Sequence, residues 1–296
     1  MKKKTKIWLG VGAFVVAGGS TAIPAWSTAD ARALPDFSDA STRCAPAAPA
    51  NYVFAQAAAP HGAGHPAAQG GEGGEGGEGG ATNLPPDLTF YRTIALIRGH
   101  LLIGDELVSQ KQWVAAYPHF MHPTEELYDL IKDTVKDYNV KPFDKALKSL
   151  AQAVKAKDSK KYAASLKAVQ AALASADAGV KPKQAANWDS FSFAAALEAL
   201  KVATAEYTAA FKDGKLVNPV EYQDARGFIF HADAMIAAVA PGLEKKNADA
   251  LKKIRADIAD LKLAFPTAMP PKAPIKDAAT VSSTVSRIEL AAGPLL

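Results

Sequence analysis

The stretch from His119 to Asp129, HFMHPTEELYD, gathers two histidines and three carboxylates into eleven residues. His119 and His122 are three residues apart, and Glu125 and Glu126 follow His122 by three and four. On a helical surface those separations make side chains neighbours. Imidazole nitrogens and carboxylate oxygens brought to one point are the donors that a borderline transition-metal ion takes. His119, His122, Glu125 and Glu126 are therefore candidate metal ligands. The same residues also suit a plain helix start. Pro123 fits a first helical position, and glutamates in a first turn favour the helix dipole by about 0.3 to 1 kcal/mol each. That reading leaves the two histidines before the proline unexplained.

Three further groups have the right chemistry. His100 lies beside Thr93, Leu96, Ile103 and Leu107, an apolar helical face where a lone histidine is usually a core residue. The nearby Arg98, Asp105 and Glu106 make it a candidate ligand as well. Further on, Glu221, Asp224 and His231 share a helical face, with Arg226 placed to pair with either acid. His61 and His65 stand near Glu72, Glu75 and Glu78 in a low-complexity stretch, where ordering the chain around an ion would cost entropy. Other chemistries lack their residues. There is no Gly-rich phosphate loop after a strand and no His-Glu-x-x-His pairing. Cys44 is the single cysteine, so no internal disulfide can form. Nothing here points to an enzyme.

The elements that must position these residues begin after a long leader. Lys2, Lys3, Lys4 and Lys6 precede an apolar run from Ile7 to Gly19 and small residues up to Ala25, the layout of a secretory signal peptide over 1–25. This predicts export to the periplasm, with no transmembrane segment in the mature chain. Removing the leader takes away four of 34 basic residues and leaves 30 against 30 acidic ones. A neutral protein lacks the basic footprint that nucleic-acid binding needs. Residues 26–84 are rich in Ala, Pro and Gly and end near the GGEGGEGGEGG tract, a composition that predicts a disordered tail.

From Pro85 the period becomes helical. Ile94, Ile97, Leu101 and Val108 mark a first helix over 89–110, and Leu127, Leu130, Ile131 and Val135 a second over 123–138. Stripes through Leu147 and Leu150, then Tyr162, Leu166 and Val169, mark the next two, with Asp158 and Ser159 as cap candidates between them. After a break over 180–187 come helices carrying Phe193 to Phe211, Tyr222 to Val239 (closed by Pro241 and Gly242), Leu251 to Phe265, and a last one over 277–292. No stretch sustains two-residue alternation, so the fold class is all-α, a helical bundle. HPTEELYD at His122 has a counterpart, NPVEYQD, 96 residues later at Asn218. The repeat predicts two related four-helix units, about 85–180 and 187–292.

An exported helical bundle carrying His122-Pro123-Thr124-Glu125, a His-x-x-Glu motif after an Ala-containing segment (Trp113 to Tyr117), resembles the imelysin family of periplasmic proteins, which includes EfeO-type components of iron uptake. EYQDARG at Glu221 to Gly227 falls where that family has a similar segment, and the likeness spans roughly 85–292. The resemblance implies an α-helical domain that binds a metal ion at His122 and Glu125 and serves iron acquisition. His119, Glu126 and His100 would complete or orient the site. The expected cargo is iron, with Zn, Mn and Cu compatible with the same donors, and the expected partner is a membrane iron permease. Two other readings stay open: a helical module that binds another envelope protein without metal, and a metallopeptidase with Glu126 as general base.

Overall fold

The computed structural model describes residues 83–296; the predicted signal peptide and nearly all of the predicted tail, with Cys44, His61 and His65, lie outside them. The described chain is all-α, with one two-residue hairpin. Helix α1, Pro86–Ser109, is buried along most of its length, including the unbroken run from Phe90 to Ile97. It packs against α6 (Ser159–Val180), α7 (Trp188–Ala210) and α8 (Pro219–Lys262). Burial on several sides explains why its apolar residues crowd more than one face.

Helix α5, Asp144–Lys155, pairs with α6. Asp158 caps α6 by accepting from the Lys161 N–H at 3.0 Å, as its position predicts. α7 leads through the hairpin Phe211–Lys212 and Lys215–Leu216, which turns at Gly214 with φ 70°. There a residue without Cβ is at ease.

Asn218 caps α8, and Pro219 opens it. The helix does not close at Pro241 and Gly242, as the sequence predicts. It runs past them and breaks at Asn247, whose φ −160° and ψ 97° are extended. Gly242 is needed for packing instead, since a Cβ there would run into the Asp189 carboxylate at the start of α7. Asn247 Oδ1 accepts from the Ala250 N–H at 2.9 Å and so caps the second limb. The limbs fold back on each other: Lys262 pairs with Asp233 at 2.7 Å, and Arg226 donates to the Phe265 carbonyl at 3.1 Å. With α9, Ala278–Ala292, capped by Asp277, the two limbs and α7 form a four-helix bundle. No described helix is long and apolar enough to cross a membrane.

The predicted second helix over 123–138 is broken up. Short helices α2 (Trp113–Ala116) and α3 (Pro118–His122) precede a π-helical turn, Pro123–Leu127, and α4, Tyr128–Ile131; a 3-10 turn, Val135–Tyr138, follows. Pro123 has no N–H to give to the preceding turn. The ladder widens there, and the Tyr128 N–H reaches back five residues to the Pro123 carbonyl. Thr124 Oγ1 satisfies the Phe120 carbonyl left in the wider turn, at 2.9 Å.

Candidate metal centre

Two glycines decide where the centre lies. Gly99 on α1 and Gly227 on α8 face each other so closely that a Cβ on Gly227 would run into the Gly99 carbonyl oxygen. Their neighbours one and three positions away, His100 and Asp224, are thereby brought together across the crossing. Gly104 repeats the device one turn later: a Cβ there would stand 2.7 Å from the Phe120 ring and 3.4 Å from His119 Cβ. The missing side chain lets α3 lie against α1, which carries His119 and His122 toward the same point.

Asp224 is wholly buried, with His100 and His119, and His122 keeps only an edge at the surface. Asp224 Oδ1 lies 2.7 Å from both His119 Nδ1 and His100 Nδ1, and its Oδ2 lies 3.4 Å from His122 Nδ1. The His100 and His122 rings meet edge to face, with centroids 5.3 Å apart. Burial alone would raise the Asp224 carboxyl, but the charges and hydrogen bonds of His100 and His119 outweigh it and hold the group well below the usual carboxylate range.

The hydrogen bonds divide the histidines by role. Gln223 Nε2 donates to the Ala268 carbonyl at 3.3 Å, which turns its Oε1 toward His119 Nε2 at 3.0 Å. An amide oxygen and a carboxylate only accept, so each ring nitrogen of His119 faces an acceptor. Both nitrogens of His119 are thus occupied, and the ring orients Asp224 instead of offering a donor. The donor group that could hold an ion is His100, His122 and Asp224, whose ligand atoms all lie within 4.8 Å of one another. Tetrahedral bonds of about 2.1 Å separate neighbouring donors by roughly 3.4 Å, so two imidazoles and a carboxylate within 4.8 Å of one another need draw together only by up to about 1.4 Å to hold a borderline divalent ion.

The glutamates of the His-x-x-Glu motif do not join this group. Glu125 is exposed and Glu126 is half-buried. The physical cause is the π turn: each residue advances less around the axis than in an α-helix, so a three-residue separation no longer puts His122 and Glu125 on one face. The trio Glu221, Asp224 and His231 on α8 is likewise dispersed. Glu221 accepts from Asn218 Nδ2 at 2.9 Å, and Arg226 turns to Glu106 at 2.9 Å, which leaves Asp224 to the histidines. The sequence places Asp224 in a candidate group with Glu221 and His231, not with the histidines it faces. Its counterpart in the repeat, Asp129, is exposed beside Lys132.

The sequence profile of an iron permease-associated 4-helix bundle domain matches residues 182–294. That span contains α7, both limbs of α8 and α9, and it links the chain to iron uptake. The link agrees with the coarse content of the likeness noted above, although the matching profile is not that of the imelysin family. No curated protein and no solved structure matches the chain. Asp224 and Gln223 lie inside the matched span, whereas all three histidines come from α1 and α3, before it.

Proposed function

We propose that the protein is an exported metal carrier of iron uptake, which captures the ion at His100, His122 and Asp224 and hands it to a membrane permease. The observation that carries this reading is the convergence of three imidazoles on one buried carboxylate. Burying such groups is costly unless something compensates, and an apolar core could have been filled with apolar residues. His119 and Gln223 supply the outer hydrogen bonds that fix the carboxylate, an arrangement that strengthens and orients ligands in metal sites. The matched profile favours iron as cargo and a permease as recipient.

The partly exposed edge of His122 gives the ion a way to the centre and leaves room for a ligand from solvent or from the recipient. This suits capture followed by release, and the protein acts as a carrier without catalysis of its own.

The test is equilibrium dialysis of the mature chain against Fe²⁺ under anaerobic conditions, and against Zn²⁺, Mn²⁺ and Cu²⁺. Retention of about one ion at micromolar concentration, lost in the His100→Ala/His122→Ala variant, is the expected result. Failure to retain any of the four ions, or retention unchanged in the double variant, overturns the reading.

A further inference from the structure

His231 plays no part in the centre just described, yet its environment is that of a ligand. It lines a cavity of about 320 Å³ between α1, α6 and α8, together with Arg98, Asp105 and Gln170 above a floor of leucines. Its Nε2 is buried and takes no hydrogen bond. A buried polar atom without a partner calls for an explanation, because leaving it so costs roughly 1 to 3 kcal/mol.

Both terminal guanidinium nitrogens of Arg98 are held by Asp177 at 2.8 Å, which offsets much of the Arg98 charge at the cavity. Asp105 adds a carboxylate. Its Oδ1 accepts the Tyr162 hydroxyl at 2.6 Å. Burial, and then the Arg98 charge, push the His231 imidazole down to about 3, so the ring is neutral and its lone pair is open to a metal ion.

The cavity also lies close to the buried centre. Seven residues of α8 separate Asp224 from His231, roughly 10 Å along the axis. Between them Phe228 sets its ring edge-on to His100, with centroids 4.9 Å apart.

We propose that this cavity is a second cation site, in which His231 Nε2 and the Asp105 carboxylate hold a divalent transition-metal ion more weakly than the buried centre. The proposal rests on the carrier reading for its cargo, but its ligands are separate.

The experiment titrates the mature chain with Co²⁺ by calorimetry and follows the His231 ring by NMR with Mn²⁺ as a paramagnetic probe. The ring signal ties binding to this residue, because His61 and His65 also offer imidazoles. The expected result is selective broadening of the His231 ring at ion concentrations above those that fill the tight site. His231→Ala removes the weak phase and leaves the tight one. Asp105→Asn, which keeps an acceptor for Tyr162, weakens the weak phase by roughly tenfold, the scale of losing support at a metal site. In His100→Ala/His122→Ala the tight phase disappears and the broadening persists, which separates failure of the carrier reading from failure of this one. Absence of broadening at His231 in wild type, or a weak phase unchanged in both single variants, overturns the proposal.

Discussion

Replacing Asp224 with asparagine keeps the shape of the side chain and removes the charge on which three imidazoles converge. Asp224 is wholly buried with His100 and His119, and its Oδ1 lies 2.7 Å from a ring nitrogen of each. The variant therefore weakens two hydrogen bonds to a charged carboxylate, worth about 1.5 to 3 kcal/mol each, a change that costs about 3 to 5 kcal/mol in all. For a domain of this size each kcal/mol moves the melting temperature by about 2 to 4 °C, so a fall of roughly 10 °C at pH 7 is expected. Thermal unfolding followed by circular dichroism at 222 nm measures it. The acid limb gives a second check. The Asp224 carboxyl is held well below its ordinary 3.8, so its contribution is complete above that pH and is lost as pH falls through the lower, folded-state value. Asp224→Asn must show a flatter loss of stability than wild type below about pH 4. A fall in melting temperature under 2 °C at pH 7, with an unchanged acid limb, would refute the placement of this acid among the histidines.

Three further outcomes follow from the same geometry. Glu125→Ala should leave metal affinity within about threefold of wild type by isothermal titration, because the side chain is exposed and stands outside the donor group, whereas losing a true ligand costs tenfold or more. Gly227→Ala forces α1 and α8 apart at backbone contact; overpacking of this kind costs about 1 to 3 kcal/mol, and it should lower affinity as well, although neither glycine touches an ion. For His231 the sign is the same as for Asp224, because folding lowers both values. Its ring resists protonation when folded, so wild type loses up to about 1.4 kcal/mol per pH unit between its ordinary 6.5 and about 3, and His231→Gln should remove that slope in denaturant titrations across the range.

The helices were legible because their apolar stripes are long and regular; Asp158 even caps where its position predicts. Breaks were less so. Pro241 and Gly242 carry the local signature of a helix end, but packing against Asp189 overrides it and the reversal falls at Asn247. At the centre, the histidines of HFMHPTEELYD were visible as a cluster, while the acid they face was visible only as part of a separate group with Glu221 and His231. Sequence spacing assigns His122 its nearest glutamates, and only the widened turn after Pro123 removes them. Asp224 lies 105 residues from His119, beside an arginine that could have neutralised it, and no local pattern tells which way either side chain turns. His100 had the opposite problem: its apolar surroundings argued for a core residue, and it is one, but the core there has a carboxylate in it.

The contact of Gly99 with Gly227 sets main chain against main chain, and peptide groups do not compress. Two of the three candidate donors, His100 and Asp224, therefore stand on jaws with a fixed bite, while His122 sits beside the π turn, away from that contact. In the proposed carrier, ions of different radius would be accommodated mainly by His122. Discrimination among metals would then reside in how far that single turn can travel, and a recipient at the membrane would have to displace it for the cargo to leave.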